Sequence, residues 1–63
     1  MPFVHIEILE GRSEEKIEEL IAEVTGTIEN VLGSPQQSIR VIVNEVPKSR
    51  WGIGGVSAKK LGR

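Results

Sequence analysis

The sequence has 63 residues, no cysteine, one histidine and a net charge of −1. We expect one domain over residues 1–63, and a chain this short buries too little surface to be very stable alone. Without disulfides or thiolate metal ligands, self-association is its remaining route to stability. The charge argues against nucleic acid as a partner, and no membrane-spanning run or signal-peptide core is present. We therefore expect a cytoplasmic protein.

The chain begins with a proline that could act as a base. Pro2 follows Met1 directly, and Met is usually removed before such a small residue. Removal would leave Pro2 with a free secondary amine, and the strand that starts one residue later would hold this amine rigidly. We therefore predict that the fold places Pro2 in an apolar pocket near arginines. If Met1 is retained, the Pro2 nitrogen is an amide and cannot carry a proton.

The first predicted element is a β-strand over residues 3–9. Its side chains alternate, so that Val4, Ile6 and Ile8 share an apolar face while the other face is mixed. His5 lies on the mixed face. It could serve as a base, but no residue near it in the sequence would pair with it. We therefore interpret His5 as a polar surface residue of the strand.

A helix is predicted to begin after Ser13, which is a good N-cap, and Glu14 and Glu15 suit the positive end of the helix dipole. Gly33 fits the position just past the helix C-terminus, and Pro35 follows it. Between these ends, apolar residues recur at steps of three and four: Ile17, Leu20, Ile21, Val24, Ile28, Val31 and Leu32.

A second strand is predicted from Ser38 to Glu45, which completes a βαβ unit with parallel strands. Ile39, Val41 and Val43 share one of its faces, whereas Ile42 lies on the other. One helix can cover only one face of so small a sheet, and strands that are apolar on both faces are buried on both. A second subunit should therefore cover the other face, which predicts a homo-oligomer.

The C-terminal third is rich in glycine. Pro47 should end the second strand, and the glycines at 52, 54 and 55 predict a β-hairpin rather than a phosphate-binding loop, whose spacing and flanking elements they lack. Trp51 is expected either to pack in an interface or to line a pocket. The basic tail, residues 57–63, should contact a neighbour or fray.

Several stretches together resemble the 4-oxalocrotonate tautomerase family. They are Pro2 behind Met1, residues 8–12 (ILEGR), Arg40 within residues 39–42 (IRVI), and residues 51–55 (WGIGG). The resemblance covers nearly the whole chain. It implies a βαβ unit with a C-terminal β-hairpin, in the α/β class, and an assembly that in short family members is usually a hexamer built as a trimer of dimers.

The resemblance also implies a site and a reaction. Pro2 would be the general base, and Arg12 and Arg40 would hold and polarise the substrate. The second of these arginines, Arg40, would reach the site from a neighbouring subunit. Trp51 would stand where the family has an aromatic residue in the pocket wall. Substrates would be small carboxylates such as 2-hydroxymuconate, ketonised without a cofactor or metal. Nearby arginines suit this chemistry, because they bind an anion and also lower the pKa of an amine.

Two alternatives remain open from the sequence. One is a dehalogenase or decarboxylase of the same superfamily, which would need an acid to activate water. The position after Trp51 is Gly52, and the segment around it contains no acid. Glu7, Glu10 or Glu45 could supply the carboxylate instead. The other alternative is a non-catalytic oligomeric scaffold, which retention of Met1 would favour.

Overall fold

The computed structural model describes all 63 residues and contains the predicted βαβ unit followed by a β-hairpin. Strand β1 spans Phe3–Leu9, helix α1 spans Glu14–Leu32 and strand β2 spans Arg40–Val46. The hairpin consists of β3 (Gly52–Ile53) and β4 (Val56–Ser57). Two short 3₁₀ turns, Gln36–Ser38 and Lys48–Arg50, precede β2 and β3. The predicted fold class is therefore confirmed.

The two long strands pair in parallel, in a register that runs from Phe3 opposite Arg40 to Leu9 opposite Val46. The second strand begins two residues later than predicted. Ser38 belongs instead to a 3₁₀ turn, in which its backbone N–H and its hydroxyl both donate to the Pro35 carbonyl, at 3.0 and 2.8 Å. At its other end β2 runs one residue further than predicted and stops just before Pro47, which has no N–H to donate to a neighbouring strand.

Both ends of α1 follow the predicted caps. The Ser13 hydroxyl accepts a hydrogen bond from the Lys16 backbone N–H at 3.3 Å. Gly33 ends the helix in the left-handed conformation, with a φ of 71°, and its N–H donates to the Glu29 carbonyl at 2.9 Å. A residue without Cβ adopts this conformation at no steric cost.

The helix covers one face of the β1–β2 sheet and leaves the other open. The alternate residues Val4, Ile6 and Ile8 are partly buried, whereas Phe3 and Ile42 on the opposite face are 61% and 46% exposed. In the whole chain only Ile39 and Ala58 are buried. One chain thus makes a very small core, and the predicted lack of cover over the second face is confirmed.

The chain is elongated because its C-terminal arm, residues 48–63, extends from the βαβ unit. The radius of gyration is 14.6 Å, against about 10.6 Å for a compact chain of this length. The arm is held mainly by its own bonds, such as Ala58 N–H to the Trp51 carbonyl at 2.8 Å. Its tail does not fray: turns close it, and the Arg63 N–H donates to the Ala58 carbonyl at 3.0 Å. No helix in the structure is both long and apolar enough to cross a membrane.

Candidate active site

Pro2 and Arg40 lie side by side at the amino ends of the parallel strands. The Arg40 backbone N–H donates to the Pro2 carbonyl at 3.0 Å, in direct continuation of the β1–β2 ladder. Pro2 is partly buried there, while Met1 before it is 84% exposed. The Pro2 backbone is therefore held by the β1–β2 ladder.

The Arg40 side chain is exposed and folds back over the turn that precedes β2. Its Nη1 donates to the Gln37 carbonyl at 2.5 Å and lies 3.5 Å from the Ile39 carbonyl. Both of these bonds use one nitrogen of the guanidinium. The remaining N–H groups stay available for an anion near the amino ends of the strands.

Arg12 lies at the opposite end of the sheet. Its exposed guanidinium donates from Nη1 to the carbonyl of Leu9, the last residue of β1, at 3.1 Å. Seven residues of strand separate Leu9 from Pro2, which at a rise of about 3.3 Å per residue is about 23 Å. Pro2 and Arg12 of one chain therefore cannot touch the same small substrate.

Trp51 lies in the C-terminal arm, at the end of the second 3₁₀ turn. It is partly buried, and its backbone is held on both sides: its N–H is 3.5 Å from the Lys48 carbonyl and its carbonyl accepts from Ala58. The single chain encloses no pocket. Of the four predicted site residues, Pro2 and Arg40 are bonded directly at one end of the sheet, whereas Arg12 and the turn that carries Trp51 lie at the other end.

The other candidate bases and acids are engaged elsewhere. His5 Nε2 lies 3.6 Å from Glu7 Oε1, and that same oxygen accepts from Asn44 Nδ2 at 2.6 Å. The expectation that no nearby residue pairs with His5 is therefore wrong, because residues two apart in a strand share a face. Glu10 Oε2 accepts from the Lys48 backbone N–H at 3.1 Å, and no three His, Cys, Asp or Glu side chains converge as a metal would require.

Comparison with known proteins gives one consistent result. The family model described as "Tautomerase enzyme" matches residues 2–61. The 2-hydroxymuconate tautomerase of Stutzerimonas stutzeri is 54% identical over the full length of both chains. Among solved structures, a 4-oxalocrotonate tautomerase isozyme from Methylibium petroleiphilum superposes with a TM-score of 0.91, at 48% identity over 98% of this chain and 100% of that one.

A third relative is informative about assembly. A heterohexameric 4-oxalocrotonate tautomerase from Chloroflexus aurantiacus J-10-fl superposes with a TM-score of 0.89, at 34% identity over 97% of this chain and 98% of that chain. The βαβ unit with its C-terminal hairpin is the fold that this chain shares with these solved tautomerases. The chain belongs to the tautomerase family. It is accordingly an isomerase.

Proposed function

We propose that the protein ketonises small 2-hydroxydienoates such as 2-hydroxymuconate, with the Pro2 nitrogen as the general base. The observation that supports this proposal is the bond between the Arg40 N–H and the Pro2 carbonyl, which holds Pro2 beside an exposed guanidinium. Residues 1–63 would form one tautomerase domain, since the family match runs from residue 2 to residue 61.

In the proposed reaction one amine moves one proton. The Pro2 nitrogen accepts the proton of the substrate's 2-hydroxyl group, and the electron pair moves along the conjugated chain. The same nitrogen then gives the proton to the distal carbon, so that the dienol becomes the ketone. A base of this kind is most effective when its pKa lies near the working pH. Arginines beside the amine disfavour its charged form and would lower its pKa in that direction.

Arginines would bind the substrate through its charged groups. A guanidinium makes paired, charge-assisted hydrogen bonds to a planar carboxylate, and it stabilises negative charge that develops on the substrate oxygen during proton transfer. The family resemblance implies that Arg40 arrives from a neighbouring subunit, but Arg40 of the same chain already has N–H groups available next to Pro2. Arg12 is bonded to Leu9, about 23 Å from Pro2 along β1, so we propose that each site takes Arg12 from another chain.

This arrangement requires a homo-oligomer, and we propose a hexamer. Two chains that lie antiparallel about a two-fold axis exchange the ends of their sheets, which brings Pro2 of one chain toward Arg12 of the other. The uncovered sheet face, with Phe3 and Ile42 exposed, supplies apolar surface for further contacts. The hexamer of the Chloroflexus relative supports the same stoichiometry.

The geometry gives less support to hydration chemistry. A dehalogenase or decarboxylase would need a carboxylate free to activate water near Pro2. Glu7 is already bonded to Asn44, and Glu10 is already bonded to the Lys48 backbone N–H. Glu45 lies at the same end of the sheet as Arg12, so it would reach a shared site only together with Arg12 of the other chain.

Turnover of 2-hydroxymuconate, followed by its ultraviolet absorbance, tests the proposal. Wild-type protein should ketonise it, and Pro2→Ala, which keeps a terminal but primary amine, should lose much of the rate. His5→Gln is the matched control, because His5 is the other candidate base and its side chain is half exposed. A Pro2→Ala protein as fast as wild type, with His5→Gln impaired, would assign the base to His5 instead.

A further inference from the structure

The carboxylate of Glu10 joins the C-terminal arm to the rest of the molecule. The Glu10 backbone is fixed first, because its N–H donates to the Val46 carbonyl at 3.0 Å and so extends the β1–β2 ladder. Its Oε2 then accepts from the Lys48 N–H at 3.1 Å. This is the single hydrogen bond between residues 48–63 and residues 1–46 of the chain.

Lys48 connects this bond to the rest of the arm. Its carbonyl accepts from the Lys59 N–H at 3.2 Å and lies 3.5 Å from the Trp51 nitrogen. Glu10 therefore holds, through Lys48, both the turn that carries Trp51 and the segment around Lys59 that follows the hairpin. Without this bond, no hydrogen bond would remain between the arm and residues 1–46.

Glu10 also stands two residues before Arg12. No ion pair forms between the two side chains, since the Arg12 guanidinium donates to the Leu9 carbonyl while the Glu10 carboxylate faces Lys48. The carboxylate thus links the loop that presents Arg12 with the turn that presents Trp51. This contact fixes the position of Trp51 relative to Arg12, although the two residues lie 39 positions apart in the sequence.

We propose that Glu10 is a positioning residue, which sets Trp51 relative to Arg12 so that one chain presents both to the same substrate. This inference rests on the proposed function, in which Arg12 binds the substrate carboxylate and Trp51 forms a pocket wall. Glu10 does not donate or accept a proton in the reaction. An acceptor oxygen is all that the contact with Lys48 requires, so glutamine should replace glutamate at this position.

Four variants separate this role from a chemical one. Glu10→Ala removes the acceptor, and Glu10→Gln keeps it. Lys48→Pro removes the donor, at the first position of a 3₁₀ turn where proline is tolerated and where Pro47 before it already has an extended ψ of 142°. Lys48→Ala is the matched control, because it changes the same side chain and keeps the N–H.

The expected kinetic result is a loss of substrate binding. Glu10→Ala and Lys48→Pro should each raise KM about tenfold, the low end for a hydrogen bond to a charged but exposed group, with kcat much less changed. Combining the two should cost no more than either alone, because both break one bond. Glu10→Gln and Lys48→Ala should remain close to wild type. A Glu10→Gln protein as impaired as Glu10→Ala, or a fall in kcat at constant KM, would overturn the positioning role.

Trp51 fluorescence gives a readout that needs no turnover, because Trp51 is the only tryptophan. With oligomer size checked for each variant, Glu10→Ala and Lys48→Pro should shift its emission, whereas Glu10→Gln and Lys48→Ala should not. If Glu10→Ala does not assemble, the remaining three variants decide the matter by the same criterion. An inactive wild type would refute the proposed function, yet the fluorescence pattern would still support the positioning of Trp51 by the Glu10–Lys48 bond. Unchanged emission in Lys48→Pro would refute that positioning role, whatever the activity.

Discussion

The separation of Pro2 from Arg12 leads to a complementation experiment. Pro2→Ala removes the secondary amine, and Arg12→Ala removes a guanidinium that lies at the other end of β1. If every site takes these residues from different chains, two defective proteins can restore each other in a mixed oligomer. If both residues come from one chain, no mixture of the two variants contains an intact site.

The expected recovery follows from random mixing. In an equimolar mixture, half the chains have an intact Pro2 and the other half an intact Arg12, so about one quarter of the sites should carry both. Loss of one preorganised charge-stabilising group costs about 2.7–4 kcal/mol, or about 10²–10³ in kcat. The background activity of Arg12→Ala should therefore be small against the recovered quarter, and the residual activity of Pro2→Ala, which keeps a primary amine, is measured alone and subtracted.

The assay is ketonisation of 2-hydroxymuconate after the two variants are unfolded together and refolded, with mass spectrometry of intact oligomers to verify mixing. A matched control mixes wild type with the double variant Pro2→Ala/Arg12→Ala. It should retain about one quarter of the wild-type rate per chain if the residues come from different chains, and about one half if they come from one. Absence of recovery in verified mixed oligomers, with one half retained in the control, would refute the shared site.

Two further predictions concern stability and assembly. Gly33→Ala, at a φ of 71°, should lower the free energy of unfolding by about 1–2 kcal/mol, whereas Gly26→Ala, where an added Cβ meets nothing within 4 Å, should raise it by about 0.5–1 kcal/mol. Denaturant midpoints at one protein concentration measure both changes, and equal effects would contradict the assignment of Gly33 to the helix end. Ile42→Asp places a charge on the uncovered sheet face, so the oligomer mass measured by light scattering should fall, whereas Glu45→Gln should leave it unchanged. An unchanged mass for Ile42→Asp would show that this face is not an interface.

Local patterns in the sequence predicted most of the fold. The alternation in β1, the three-and-four spacing in α1 and the caps at Ser13 and Gly33 each depend on residues a few positions apart. The 3₁₀ turn before β2 was missed because the apolar alternation extends back to Ile39, which is buried without belonging to the strand. Ile39 follows the turn with an extended backbone (φ −92°, ψ 129°), so its burial continues the strand pattern one residue before β2 begins.

For the candidate site, the sequence supplies residue types as hypotheses and little of their geometry. The distance between Pro2 and Arg12 follows from the length of β1 alone, so a site shared between chains was already implicit in the strand prediction. The bond from Lys48 to Glu10, by contrast, joins residues 38 positions apart through a side chain. No periodicity or local motif reports such a contact, and it emerges only when the chain is folded.

The central claim, that a free Pro2 nitrogen is the base, is tested most directly by comparing processed protein with protein that retains Met1. Met1 is 84% exposed and the strand begins at Phe3, so both forms should fold and assemble alike. The two forms are verified by intact mass, and their ketonisation rates are measured on 2-hydroxymuconate. Processed protein should be active and the Met1-bearing form should transfer protons slowly, because an amide nitrogen is not basic. Equal rates for the two forms would contradict the account and require another base.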